Sequence, residues 1–138
     1  MANYPEYQVT PMRDELLQAG FQQLMTSEEV DLALQKPGTT LLVVNSVCGC
    51  AAAGARPGVI LALKEKGLHF DHLVTVFAGM ETEATQRARQ YFEGAVPSSP
   101  QAAILKDGRL AHLMGRSSFL DRTPAAIAQE LATAASSI

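Results

Sequence analysis

The stretch Thr39-Thr40-Leu41-Leu42-Val43-Val44-Asn45, running straight into Ser46-Val47-Cys48-Gly49-Cys50, decides the fold. Its first seven residues are mostly β-branched and aliphatic, without polar alternation. That pattern predicts a strand buried on both faces, hence a central strand with helices above and below the sheet. Cys48 and Cys50 are the only cysteines in 138 residues, and they sit where that strand ends. The residues that follow, Ala51 through Lys64, read as a helix. The thiols therefore fall at a strand-to-helix junction, where the amide dipoles of a helix N-terminus favour a thiolate. Two cysteines one glycine apart can close on each other only through a tight turn, for which Gly49 supplies backbone freedom. A strained disulfide of that kind is easily reduced and belongs to exchange chemistry rather than to stapling.

Working outward, helices and strands alternate without a linker, repeat or low-complexity tract. Thr10-Pro11-Met12-Arg13 predicts a helix start with Thr10 as N-cap, ending at Gly20. Thr26-Ser27-Glu28-Glu29 has capping-box spacing, and Val30, Leu32, Ala33 and Leu34 carry a second helix to Lys36-Pro37-Gly38. Pro57 is expected to kink the helix after the cysteines, with Gly54 and Gly58 relieving the crowding. Phe70 to Phe77 reads as a strand. Ala84, Ala88, Tyr91 and Phe92 recur at helical spacing between Gly79 and Gly94, and Glu81, Glu83 and Arg87 read as its solvated, ion-paired side. Ala102–Leu105 and Leu110–Met114 flank Lys106-Asp107-Gly108-Arg109, whose Asp-Gly pair marks a hairpin. Thr123-Pro124 opens a last helix carrying Ile127 and Leu131. The order α α β α β α β β α gives an α/β domain over residues 1–138, a four-stranded mixed sheet with helices on both faces.

Composition narrows the function classes. A net charge of −3 and a pI near 5.5 leave no basic field for nucleic acid or an anionic membrane. The opening Met1-Ala2-Asn3-Tyr4-Pro5-Glu6-Tyr7-Gln8 lacks the basic-then-apolar pattern of a leader, and no apolar run approaches a membrane span. The cytoplasm is the expected compartment, and two cysteines there point to catalysis or metal binding rather than to a structural bridge.

Pro100-Gln101-Ala102-Ala103-Ile104-Leu105-Lys106-Asp107-Gly108 resembles the thioredoxin segment that runs from the cis-proline through a strand into its hairpin. The element order matches the thioredoxin-like fold as well. The cysteine motif departs from thioredoxin, with one residue fewer between the thiols and no tryptophan before them. Val44-Asn45-Ser46-Val47-Cys48-Gly49-Cys50-Ala51-Ala52-Ala53-Gly54-Ala55-Arg56-Pro57-Gly58 resembles instead the signature of the bacilliredoxin family. Pro11–Leu16, Thr75–Gly79 and Pro97–Pro100 are similar to that family too, so the resemblance spans nearly the whole chain.

That resemblance implies a thiol–disulfide oxidoreductase needing no cofactor, which removes bacillithiol or a similar low-molecular-weight thiol from mixed-disulfide client proteins. It implies Cys48 as the attacking thiol and Cys50 as the resolving one, although a cycle with bacillithiol as the resolving thiol stays open. It places Ser99 and a cis-Pro100 beside the cysteines, where neighbouring backbone and Gly49 would meet the substrate; an ordinary loop proline is the alternative. Arg56 is a candidate to hold a carboxylate of bacillithiol, or is simply an ion-paired or solvated helix residue. Asn45 and Ser46 orient the site or satisfy loop amides. A general protein disulfide isomerase is the near alternative, and a thiolate module binding copper(I) or a cluster the distant one. His69, His72 and His112 do not supply the second ligand pair that structural zinc requires, so no metal is expected.

Overall fold

A computed structural model describes residues 4–138; Met1-Ala2-Asn3, part of the segment read above for a leader, lie outside the described residues. The elements are α1 (Glu6–Gln18), β1 (Gln22–Gln23), α2 (Ser27–Leu34), β2 (Thr39–Asn45), a π-helical turn (Ala51–Ala55), α3 (Arg56–Glu65), β3 (His72–Phe77), α4 (Thr82–Gln90), β4 (Gln101–Lys106), β5 (Arg109–Met114), a 3-10 turn (Arg116–Ser118) and α5 (Pro124–Ala135). The sheet order is β1-β3-β2-β4-β5. β3 is parallel to β1 and β2, whereas β4 is antiparallel to β2 and β5.

β2 sits at the centre because both its faces are apolar. Leu41 and Val43 join Ala102, Ile104, Val59, Ala62, Ile127 and Leu131 in one core, beneath α3 and α5. Leu42 and Val44 join Val74, Val76, Val30, Leu34, Ala84 and Ala88 in the other, beneath α2 and α4. Successive residues of one strand thus feed opposite layers, as the period of two requires. Asp107 and Gly108 both have positive φ (51° and 81°), the geometry of a two-residue hairpin that follows the twist of β4 and β5.

The sheet has five strands, not the expected four. β1 is two glutamines paired with Val74 and Thr75. It is held by backbone bonds such as Leu24 N to Thr75 O at 2.8 Å, and polar residues at an edge leave no hydrophobic pattern to read. α1 begins a turn before the predicted Thr10. The Thr10 hydroxyl bonds back to the Glu6 carbonyl at 2.8 Å rather than capping, and exposed Pro11 lies within the helix. Thr26 and Thr123 do cap, accepting from the amides of Glu29 and Ala126. Glu81 is no solvated partner of Arg87 either: it binds nearly buried Arg13 at 2.6 Å, and Arg87 pairs with Asp31.

Pro57 does not kink a regular helix. The Arg56 amide reaches back five residues to the Ala51 carbonyl, and Pro57 enters in the first turn of α3. The wide turn keeps the preceding carbonyls clear of the proline ring. Gly54 and Gly58 instead let α3 approach α5. A methyl group on Gly58 would lie 2.6 Å from Ile127 Cγ2, and one on Gly54 3.1 Å from Ile127 Cδ1. Gly58→Ala is therefore expected to destabilise the fold by about 1–2 kcal/mol, overpacking outweighing the helix propensity gained. Urea unfolding of Gly58→Ala, Ile127→Ala and the pair would show it, with the double variant less destabilised than the sum of the single ones.

Candidate active site

β2 delivers the chain to a junction fixed from three sides. The Asn45 amide donates to the Met12 carbonyl of α1 at 3.1 Å, while its Oδ1 accepts from the Ser46 amide (2.8 Å) and Arg56 Nη1 (3.0 Å). Arg56 Nη1 also reaches the Ser46 carbonyl at 2.8 Å, and its Nε pairs with Glu15 at 3.0 Å. The strand end is thus tied to the start of α3 and to α1 before the cysteines begin. Ser46 Oγ then accepts from the Cys48 amide at 3.0 Å. The Cys48 carbonyl receives the amides of Ala51 and Ala52, so Cys48 stands at the helix entrance.

Both thiols are free and half-buried. Gly49 between them is exposed, already helical, and has nothing within 4 Å of where a Cβ would project. In this dithiol form its special backbone freedom is not called upon, and it leaves the approach to the cysteines open.

The opposite wall is the loop before β4. The Ser99–Pro100 peptide is cis, Pro100 is buried, and the Ser99 carbonyl oxygen lies 4.0 Å from Cys48 Sγ. Arg89 of α4 anchors this loop, donating to the Ser98 carbonyl at 2.6 Å and to Gln101 Oε1 at 3.0 Å. Ser98 Oγ accepts from the Arg116 amide at 3.2 Å, bringing in the 3-10 turn. Gln101 opposes Val44 across the sheet, which places the loop over the end of β2.

The two thiols differ in acidity. Burial raises the Cys48 thiol, but hydrogen bonds from the Cys50 thiol, the Ala51 and Cys50 amides and the Ser46 hydroxyl outweigh it, so Cys48 falls below the ordinary cysteine range. Cys50 is raised by burial and by a developing negative charge on Cys48, opposed in part by Arg116. The pair therefore loses its first proton mainly from Cys48. Limiting iodoacetamide near neutral pH is expected to label Cys48 ahead of Cys50, with Cys48 labelling rising at a lower pH than that of an ordinary thiol. Peptide mapping across pH checks both statements; predominant labelling of Cys50 would reverse the assignment.

The structure brings Cys48, Gly49, Cys50, Ser99 and Pro100 to one place. It takes Arg56 away from it. Arg56 is 2% exposed, and its mapped bonds go to Glu15, Asn45 and Ser46, so it is not positioned to meet a carboxylate in solvent. Asn45 and Ser46 satisfy loop amides, those of Ser46 and Cys48, and in doing so tie the junction together. Arg89, Arg116 and Glu15 were not anticipated; each lies on a different element, and no local spacing links them to the cysteines. His72 contacts the Pro37 carbonyl and His112 pairs with Glu130, both away from the thiols, and His69 is highly exposed. Among the described residues no group of three or more His, Cys, Asp or Glu gathers as metal ligands do.

The chain is similar to several known proteins. A family model described as disulphide isomerase matches residues 4–138. A bacilliredoxin of Geobacillus kaustophilus is 49% identical over 127 residues, covering 89% of this chain and 84% of that protein. A bacilliredoxin of Cytophaga hutchinsonii is 48% identical over 128 residues, covering 93% of this chain and 94% of that protein. A bacilliredoxin of Staphylococcus aureus is 53% identical over 108 residues, covering 78% and 74%. Among solved structures, one with a thioredoxin fold superposes at a TM-score of 0.64 with 15% identity, covering 81% of this chain and 94% of that one. A thioredoxin of Entamoeba histolytica superposes at 0.55 with 14% identity, covering 86% and 100%. These last two speak for the fold alone.

Proposed function

The chain belongs to the disulphide isomerase family and is a thiol–disulfide oxidoreductase of bacilliredoxin type; from that premise we propose that it strips bacillithiol, or a similar small thiol, from mixed-disulfide client proteins. The observation that carries the reading is the unequal pair at the helix entrance: an acidified Cys48 facing the Ser99 carbonyl, with a less acidic Cys50 one residue on.

The Cys48 thiolate attacks the bacillithiol sulfur of the mixed disulfide. A Cys48–bacillithiol disulfide forms, the client sulfur leaves as thiolate and is protonated from water, and no electrons are gained or lost overall. The low pKa supplies the nucleophile near neutral pH, and donors that stabilise the thiolate also orient it. Cys50 then attacks Cys48 Sγ and releases bacillithiol, leaving a Cys48–Cys50 disulfide for an external dithiol or thiol to reduce. Ser99, Pro100 and exposed Gly49 form the surface on which the mixed disulfide lies.

The cytoplasm, where thiols are kept reduced, suits that cycle; no helix among the described residues is long and apolar enough to cross a membrane. The family description favours one further reading, isomerisation of protein disulfides. Reduced protein is mixed in parallel with a bacillithiolated reporter and with a scrambled-disulfide protein, following released client thiol and regained native fold. Rapid release from the first and little refolding of the second is expected. The reverse ranking would replace small-thiol removal by isomerisation.

A further inference from the structure

The expected partner for an anionic small thiol, Arg56, is buried against protein acceptors. Arg89 likewise spends its hydrogen bonds on Ser98 and Gln101. Arg116 is different. It is exposed, and no ion pair among the described residues engages it.

Its position is built from both walls of the site. The Arg116 amide is fixed to Ser98 Oγ at 3.2 Å, one residue from the Ser99 carbonyl that faces Cys48 Sγ. On the other side the chain after the 3-10 turn packs on the turn after the cysteines: the Phe119 carbonyl oxygen lies 3.1 Å, and that of Arg122 3.8 Å, from where a Gly54 methyl would stand. Arg116 is therefore held between the loop before β4 and the helix that presents both thiols. Burial and Cys48 raise the Cys50 thiol, and the Arg116 charge opposes them.

We propose that Arg116 is a specificity-determining residue that receives a carboxylate of the low-molecular-weight thiol in the mixed disulfide, selecting acidic thiols over neutral or cationic ones. This rests on the small-thiol removal argued above. Bacillithiol carries its two carboxylates on the malate part, across the sugar from the reacting sulfur, because the cysteine carboxyl is taken up in the amide to the sugar. An exposed guanidinium at the rim of the site attracts such a group by charge and grips it by a forked pair of hydrogen bonds. Holding the malate end at the rim of the site also decides which sulfur Cys48 meets. The small thiol's sulfur is attacked, the Cys48–small-thiol bond forms as the mixed disulfide breaks, and the client sulfur departs as thiolate, gaining a proton from water.

The test keeps one reporter protein and changes only the charge of the small thiol: its mixed disulfides with bacillithiol (net anionic), bacillithiol malate monomethyl ester (net neutral) and bacillithiol malate dimethyl ester (net cationic). Client-thiol release is timed for the whole protein and for Arg116→Gln, Arg116→Lys and Arg116→Glu, with dithiothreitol as uncatalysed reference. Relative to that reference, wild type is expected to favour the anionic over the neutral adduct about fivefold at low salt, and less as salt rises. Arg116→Gln should bring the ratio to the reference value, Arg116→Lys should keep part of it, and Arg116→Glu should turn the preference towards the dimethyl ester. Taking ratios removes any change in thiol reactivity common to all three adducts. If exchange persists but Arg116→Gln leaves the ratio unchanged, or slows all adducts alike, Arg116 is not the selector and small-thiol removal still stands. If wild type releases no client thiol from any adduct, the proposed function itself falls.

Discussion

Cys48→Ser is expected to reduce client release from a bacillithiolated reporter to the rate of buffer alone, whereas Cys50→Ser should keep the first turnover. The asymmetry follows from chemistry at the two positions. A serine oxygen at position 48 cannot form the mixed disulfide, so the first bond is never made. Cys50 acts only after that bond exists, and its thiol is the less acidic of the two. Its loss should therefore stall the cycle with bacillithiol held on Cys48. Single-turnover release followed by multiple-turnover assay with bacillithiol as sole reductant separates the steps. Unimpaired turnover of Cys50→Ser under that reductant would make bacillithiol the resolving thiol, and wild-type rates for Cys48→Ser would end the whole reading.

Arg56→Ala should be the most destabilising single change around the site, lowering stability by about 3 kcal/mol. The side chain is 2% exposed, and its loss opens a cavity and removes partners of the Asn45 side chain and the Ser46 carbonyl. Glu15 contributes less, being 44% exposed at its side chain. Because Ser46 receives the Cys48 amide, the loosened junction should also slow Cys48 alkylation. Arg56→Lys should recover only part, since an ammonium cannot reproduce the directions of the guanidinium fork. Urea midpoints at constant slope, measured beside alkylation rates, check both effects. Wild-type stability in Arg56→Ala would mean that the buried network is dispensable.

Much of this molecule is visible in the chain wherever a residue's role is local. The run from Thr39 to Asn45 announces a strand covered on both faces, and Asp107-Gly108 announces its hairpin, because period and turn chemistry are written in neighbours. Thr26 and Thr123 announce caps for the same reason. β1 is invisible because two glutamines carry no periodicity and pair only through backbone. The early start of α1 is hidden by Thr10-Pro11, a pattern that normally opens helices but here lies inside one. At the site, the cysteines and the loop of Ser99 and Pro100 follow from motif, but Arg56 stays open in the sequence between ligand, solvated residue and ion pair, and the structure selects the ion pair because burial depends on where α1 lands. Glu15, thirty-three residues before Cys48 and on a helix of its own, turns that arginine inward. Arg116 could not be found from spacing at all. It is brought to the rim of the site by β5 and the 3-10 turn, which tie its amide to Ser98, one residue from the Ser99 carbonyl that faces Cys48.

The most direct measurement is the intact mass and peptide map of reduced Cys50→Ala protein after brief reaction with a bacillithiolated client. The expected result is a single bacillithiol attached at Cys48 together with fully released client thiol. A covalent protein–client disulfide as the main product, or no bacillithiol transferred to Cys48, would contradict removal of the small thiol by this site.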